Sequence, residues 1–296
     1  MAEATAIVGL GLMGGSLALA LKRSRPDGRL IGIDVNRAAL DAAVAAGGLD
    51  AASSDLKAVA QARLIILAAP VRTILRQIPL LIPIACDGAL LLDLGSTKRQ
   101  IVAAMDALPE RLSAVGGHPM CGKETSGFAA AEGGLFAGKP FVLTPSARSS
   151  SEALERAARL VVDIGAYPVL MDAERHDRIV AAASHLPFAS ALALFDVVSA
   201  EAERDGKVWE LASSGFRDTT RLAASDASMM LDILLTNPDN VSGLARLCSE
   251  RLAEFANLVE QGKEAELRAI LQDVSRRRRT WTEASIVRSA SGEESS

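Results

Sequence analysis

Short apolar runs alternate with amphipathic stretches through the first half of this 296-residue chain. Residues 5–9, 30–34, 63–69, 89–93, 114–116, 141–144 and 168–171 read as strands. Helical spacing sits between most of them, as at 14–22, 38–46, 71–81 and 98–107. The run Leu64-Ile65-Ile66-Leu67-Ala68-Ala69 has no polar alternation, which marks a strand buried on both faces. Strand alternating with helix predicts an α/β fold with right-handed crossovers and a doubly wound parallel sheet.

Beyond Met171 the strand pattern stops. Residues 173–203 form one long helical pattern, with Ile179, Ala183, Leu186, Leu194 and Val198 as candidate buried positions. Asn237-Pro238 reads as an N-cap followed by proline in the first helical position. Val241, Leu244, Cys248, Leu252, Phe255 and Val259 then recur at helical spacing, and Gly262 fits the helix end. Leu267, Ile270, Leu271 and Val274 mark a further helix. The expected organisation is an α/β domain over 1–171, an all-α domain over 172–284 and a disordered polar tail over 285–296. Some apolar faces of the second domain fit burial against a second subunit; one self-contained bundle is the alternative. Arg276–Arg279 reads as a solvated helix end rather than an anion site.

Composition narrows the function classes. Apolar residues make up 49% and charged residues 23%, the proportions of a globular chain. A net charge of -4 gives no electrostatic reason to expect a nucleic acid as partner. The N-terminus lacks a basic lead and a cleavage site, and no apolar run approaches the ~18 residues of a membrane span, so neither secretion nor a membrane is expected. Cys86, Cys121 and Cys248 lie far apart, which disfavours disulfides and zinc and fits a cytoplasmic protein. No metal-ligand cluster is evident.

Gly9-Leu10-Gly11-Leu12-Met13-Gly14 follows the first strand and opens the first helix, the context of a dinucleotide-binding loop in a Rossmann-type fold. Gly9 allows the tight turn, Gly11 lets the backbone approach a pyrophosphate, and Gly14 permits close helix–strand packing. Leu12 and Met13 lie on the same loop, at the helix N-terminus that stabilises phosphate charge. Asp34 comes 20 residues after Gly14, where a carboxylate accepts hydrogen bonds from the adenosine ribose. It would repel a 2′-phosphate, which favours NAD over NADP. Arg37 could accommodate that phosphate but reads more simply as a solvated charge. Ala69-Pro70 ends the third long apolar run and should flank the cofactor, because ligands bind beyond the carboxyl ends of such strands.

Two polar loops should open onto the same crevice. Asp93-Leu94-Gly95-Ser96-Thr97-Lys98 follows one strand, and Gly116-Gly117-His118-Pro119-Met120-Cys121-Gly122 follows the next. His118, one of only three histidines, lies in the second loop and is a natural proton acceptor near neutral pH. His185 lies in Ser184-His185-Leu186-Pro187, where the proline should kink the long helix. His176 is nine residues earlier, on the opposite face of a straight helix, and reads as structural or as a subunit contact. Arg217 and Arg221 are four apart on one helix face and could hold carboxylates; a solvated face is the alternative.

These segments resemble the prephenate/arogenate (cyclohexadienyl) dehydrogenase family of tyrosine biosynthesis. The resemblance rests on the glycine loop with Gly15-Ser16, the Asp93–Lys98 segment, Gly-Gly-His-Pro at 116–119, Ser-His-Leu-Pro at 184–187 and Gly215-Phe216-Arg217-Asp218-Thr219-Thr220-Arg221. It spans about residues 5 to 275. It implies a Rossmann domain followed by a helical domain that forms a homodimer. It implies His118 as the catalytic hydrogen-bond acceptor and Ser96 as the group that orients the substrate hydroxyl and that histidine, beside the cofactor. His185 and Arg221 would bind substrate, with Arg217 beside them. The implied reaction is NAD-dependent oxidative decarboxylation of prephenate to 4-hydroxyphenylpyruvate, of arogenate to tyrosine, or of both. The alternatives are a β-hydroxyacid dehydrogenase, whose pattern places a lysine on the long helix where this chain has none, and a non-catalytic dinucleotide-sensing module.

Overall fold

The computed structural model describes residues 3–123 and 125–291, with side chains through Glu283. Strand β1 (Thr5–Val8) leads through the glycine loop into helix α1 (Leu12–Ser24). The alternation continues with β2 (Leu30–Ile33), α2 (Arg37–Ala45), β3 (Ala51–Ser53), β4 (Leu64–Leu67), α3 (Val71–Leu81), β5 (Leu90–Asp93) and α4 (Arg99–Asp106). It closes with β6 (Ser113–Pro119), β7 (Pro140–Pro145), α5 (Ser151–Asp163) and β8 (Tyr167–Leu170).

The strands form one sheet in the order β3-β2-β1-β4-β5-β6-β7-β8. Every pairing is parallel except β6 with β7, which is antiparallel. The chain runs outward from β1 in both directions, so a crevice opens beyond the carboxyl ends of β1 and β4. The sheet is doubly wound as expected, with one strand more. β3 is a three-residue edge strand, Ala-Ala-Ser, too short and too small in side chains to show an apolar pattern.

Neighbouring residues of β4 serve opposite faces of the sheet. Ile66 packs with Leu17, Leu40 and Leu160 under α1, α2 and α5. Ile65 and Leu67 pack with Ile74, Ile78, Ile101 and Met105 under α3 and α4. Alternation of period two, with both faces covered, explains the unbroken apolar run in the sequence. Helix α3 buries Val71, Ile74, Ile78 and Leu81, an apolar stripe at helical spacing. Helices α2 and α5 begin on side-chain caps: Asn36 Oδ1 accepts from Ala38 N at 3.0 Å and Ser150 Oγ from Ala153 N at 3.1 Å.

The second half is helical. It comprises α6 (Ala173–Val180), α7 (Leu186–Arg204), α8 (Lys207–Leu211), α9 (Ser214–Thr220), α10 (Ala227–Thr236), α11 (Pro238–Glu260) and α12 (Glu264–Ser291). The expected single helix over 173–203 is interrupted by one π-helical stretch, Ala181–His185. Pro187 follows at the start of α7 and has no N–H for the Ala183 carbonyl, so a wider turn falls where a kink was expected. The stretch Ala173–Arg204 has the length and apolar composition to cross a membrane, contrary to the sequence reading. Its first half is nevertheless hydrogen-bonded into the α/β part of the chain.

Burial on these helices departs from the pattern. Of the expected core positions, Ile179, Ala183 and Leu194 are exposed, and Leu186 and Val198 are half-buried. The buried residues are Val180, Ala181, His185, Phe188 and Ala191. The π turn changes the helix phase and brings a different stripe onto the rest of the protein. The apolar positions Leu252, Phe255, Val259, Ile270, Leu271 and Val274 keep helical spacing and are likewise exposed.

The chain divides into two compact units, residues 1–241 and 242–296. Residues through Val241 form one unit because α6 and α10 bond to the α/β layer. Arg72 N donates to Asp232 Oδ2 at 3.0 Å, and the Thr97 and Thr236 hydroxyls lie 2.7 Å apart. The second unit is a helical hairpin turning at Gly262, whose φ of +62° suits glycine. α12 runs to Ser291, into the stretch expected to be disordered from Ser285; residues 292–296 lie outside the described residues. Arg276 and Arg277 pair with Asp273 and Arg278 stacks on Trp281, which accounts for the arginine run as a solvated helix face.

Gly14 tests the packing of α1 on β1. A Cβ there would overlap the Gly9 carbonyl and touch Ala68 Cβ, whereas one at Gly11 would meet nothing within 4 Å. Gly14→Ala should lower stability by about 1–3 kcal/mol, read as a fall in urea midpoint at constant slope. Gly11→Ala should stay within about 1 kcal/mol of the parent.

Candidate active site

The glycine loop has the geometry its spacing implies. Gly9 lies at φ +97°, a conformation open to glycine, and Gly14 lets α1 seat against the loop. Beside Gly11 the space is open, and this cap position of α1 offers no side-chain acceptor to the helix N-terminus. Asp34 stands just beyond β2. Its Oδ2 accepts from Leu10 N at 2.6 Å and its Oδ1 from Asn36 N at 2.7 Å. The carboxylate therefore braces the loop, and each oxygen keeps a second lone pair. Arg37 is exposed and pairs with Asp41 at 3.1 Å, in line with its reading as a solvated charge. Ala69 and Pro70 follow β4 at the same end of the sheet, with Pro70 capping α3.

A buried ion pair joins the next two strand ends. Asp93 and Lys98 are both 0% exposed and bonded to each other. Asp93 Oδ2 also accepts from Gly95 N at 2.7 Å, and Oδ1 from Gly117 N at 3.0 Å. Lys98 Nζ donates to Gly117 O at 2.7 Å. The half-buried Ser96 and His118 are therefore carried on segments tied to one another through this pair. Burial lowers the pKa of Lys98 from the ordinary lysine value, opposed by the charges of Asp93 and Asp177.

His118 is on strand β6 and not in a loop. The strand continues to Pro119 because β7 pairs with it, with His118 opposite Val142. Its Nδ1 lies 2.8 Å from His176 Nε2, and the two rings meet edge to face. His176 Nδ1 lies 2.8 Å from Asp177 Oδ1. Asp177 in turn accepts from Lys98 N at 2.7 Å and Arg99 N at 2.9 Å, capping the start of α4 from another element. Burial alone would raise the Asp177 pKa; the bonds from His176, Arg99 and Lys98 outweigh it, and the carboxyl lies below its ordinary value. Burial holds His118 well below the usual histidine value, reinforced by His176, Lys98 and His185. The His118 imidazole is therefore neutral at physiological pH.

His176 reads from the sequence as structural or as a subunit contact, and the structure sets it against His118. The expected half-revolution between His176 and His185 is corrected, because the π turn advances the helix by less than 100° per residue. His185 is buried, and its Nδ1 lies 3.5 Å from Asn237 Nδ2, which also donates to Asp177 O at 2.7 Å. Asn237 does precede α11, but its amide faces this cluster instead of serving only as a cap. Burial pulls His185 down to about 4, against an opposing pull from Asp177. Arg217 and Arg221 are both exposed, Arg217 on α9 and Arg221 opening the 3-10 turn Arg221–Ala224. Leu222 of that turn packs on Phe188, so Arg221 is held beside α7.

The sequence reading missed Asp93, Lys98, His176, Asp177 and Asn237. Asp93 had a local signal, since it ends an otherwise apolar strand. The partners of Asp177 are supplied from α4, which is distant in sequence.

Comparison with known proteins places these features in a family. Residues 17–170 match the family model "Prephenate dehydrogenase, nucleotide-binding domain", and residues 172–273 match "Prephenate dehydrogenase, dimerization domain". A prephenate dehydrogenase from Bacillus subtilis is 38% identical over 244 residues, which cover 81% of this chain and 66% of that protein. The chain thus matches just under two thirds of that relative's length. The crystal structure of prephenate dehydrogenase from A. aeolicus in complex with hydroxyphenyl propionate and NAD+ superposes with a TM-score of 0.88 at 32% identity, covering 95% of this chain and 98% of that one. Synechocystis arogenate dehydrogenase gives a TM-score of 0.78 at 29% identity, covering 94% and 99%.

Two outcomes follow from the buried charges. Lys98→Met leaves Asp93 buried without its cation and should cost about 3–5 kcal/mol, seen as a lower thermal midpoint, with partial recovery in Asp93→Asn/Lys98→Met. His185 has a folded pKa of about 4 against an ordinary 6.5. As pH falls from 6.5 to 4 the unfolded chain takes up a proton that the folded chain refuses, so stability should decline across that window. Urea midpoints measured across the range should fall less steeply in His185→Asn.

Proposed function

Because the chain belongs to the prephenate dehydrogenase family, we propose that it oxidatively decarboxylates prephenate to 4-hydroxyphenylpyruvate, arogenate to tyrosine, or both, with hydride transfer to NAD. The observation that carries this reading is His118: a neutral imidazole at the carboxyl end of the sheet, tied through Asp93 and Lys98 to the segment that bears Ser96.

The residues fit a dinucleotide. Open space at Gly11, the positive φ of Gly9 and the uncapped start of α1 provide a place for a pyrophosphate. Asp34 has lone pairs left for ribose hydroxyls, and its charge opposes a 2′-phosphate. Leu12 and Met13 at the start of α1, Ala69 and Pro70 after β4, and Ser96 complete the proposed cofactor-binding set. When bound, NAD supplies the nicotinamide that accepts the hydride.

The chain's own residues handle protons and position. His118 takes the proton of the ring 4-hydroxyl as hydride leaves the carbon that bears it. The ring carboxylate then departs as CO2, and the electrons of the broken C–C bond make the ring aromatic. The proton returns from His118 to the oxygen that is now phenolic. Ser96 orients the hydroxyl. Arg221 holds a substrate carboxylate by charge-assisted hydrogen bonds, with Arg217 one turn away, and His185 also binds substrate. Holding the ring against the nicotinamide supplies much of the acceleration.

The family-model ranges support reading 1–171 as the NAD-binding domain and 172–284 as the substrate and dimerisation domain. The exposed Leu192, Val197, Leu252 and Leu271 suit burial in a homodimer. Three free thiols suit a reducing cytoplasm.

Steady-state NADH formation with prephenate and with arogenate tests the activity. His118→Asn should keep NAD affinity and lose about 10²–10⁴-fold in kcat. Full activity in that variant would remove His118 as the proton acceptor.

A further inference from the structure

We propose that Asp177 and His176 are positioning residues that fix His118 in the Nδ1–H tautomer, so that an unprotonated Nε2 meets the substrate hydroxyl. The inference rests on the proposed function for its chemical purpose, though its geometry stands on its own.

The argument follows donors and acceptors along a line of three groups. Asp177 is fully buried, and its two oxygens accept from Lys98 N and Arg99 N. An ionised carboxylate has no hydrogen to give, so in the 2.8 Å contact with His176 the Nδ1 of the histidine is the donor. With one hydrogen on the His176 ring, that hydrogen is now placed. Its Nε2 is then an acceptor. The 2.8 Å contact between His176 Nε2 and His118 Nδ1 needs one hydrogen, which His118 must supply. His118 is neutral, so its Nε2 is left with a lone pair. That lone pair is what abstraction of a hydroxyl proton requires.

The opposite arrangement fails chemically. With Nε2 protonated, His118 would offer the ring hydroxyl a donor and could not take its proton. A doubly protonated His176 would impose that arrangement, because both its nitrogens would donate. The titratable groups around the pair are Lys98 and Asp93, already bonded to each other, with His185 and the capping Asp177. The buried Asp177 is also anchored through its own carbonyl by Asn237. The orienting carboxylate is therefore locked to α4 before substrate arrives.

The chain's three histidines make the test direct. Long-range proton–nitrogen correlation spectra of the full-length, imidazole-15N-labelled protein, with and without NAD at pH 7.5, report which nitrogen of each ring is protonated. His118→Asn and His185→Asn variants assign the signals. The expected result is Nδ1–H for His118. In His176→Phe, His118 should move toward the Nε2–H form, with kcat falling about 10²–10⁴-fold and KM changing less than about threefold. An Nε2–H His118 in the parent protein, or an unchanged tautomer in His176→Phe, overturns the proposal. Should that variant fail to fold, the parent spectrum alone decides. Turnover with an Nε2–H His118 would sink the relay and leave the dehydrogenase standing. An Nδ1–H His118 without turnover of either substrate would do the reverse.

Discussion

Lys98 brings an ammonium group into a fully buried position, and its bonds to Asp93 and to the Gly117 carbonyl are what make that position tenable. An isolated buried charge costs several kcal/mol, so the pair and its hydrogen bonds must be satisfied together. Asp93 meets that condition with the N–H groups of Gly95 and Gly117. The result is a fixed distance between the ends of β5 and β6. Ser96 and His118 inherit it, since each lies next to a residue the pair holds. The glycines are needed for space: a Cβ at Gly117 would overlap the Asp93 carbonyl.

Around this pair the structure disfavours charge on the imidazoles of His118 and His185. Burial disfavours protonation of His118 and His185, and each is further opposed by neighbouring positive or protonatable groups. Asp177 keeps its charge in the same surroundings because three donors converge on it. An ionised Asp177 near a neutral His118 is the combination a proton acceptor requires. The same carboxylate caps α4, so the fold would keep it whether or not it served catalysis. Stability and chemistry therefore share one side chain.

The helical half shows a different constraint. Its apolar residues outnumber the surface one chain can cover, and side chains such as Val197, Leu252 and Leu271 remain more than half exposed. Phe195, Trp209 and Phe216 cluster at 5.8–6.0 Å between ring centres, yet Phe195 and Trp209 stay partly open. The same residues lie in or near the stretch that matches a dimerisation-domain model, and a helix pattern written for a subunit interface looks the same in sequence as one written for a core.

Local signals were sufficient for much of the protein. The glycine loop, Asp34 and the apolar run of β4 were legible because a turn, a helix start and a doubly buried strand each leave a mark within a few residues. The family segments carried His118, Ser96, His185 and Arg221 by resemblance. What the sequence could not contain was β3, whose Ala-Ala-Ser pairs in the sheet only with β2, and the placement of His118 on a strand, which depends on antiparallel pairing with β7. It also could not place His176 against His118. That contact joins residues 58 positions apart and depends on α6 docking over the sheet. Periodicity reports which face of a helix is apolar, whereas only the packed chain decides what that face meets.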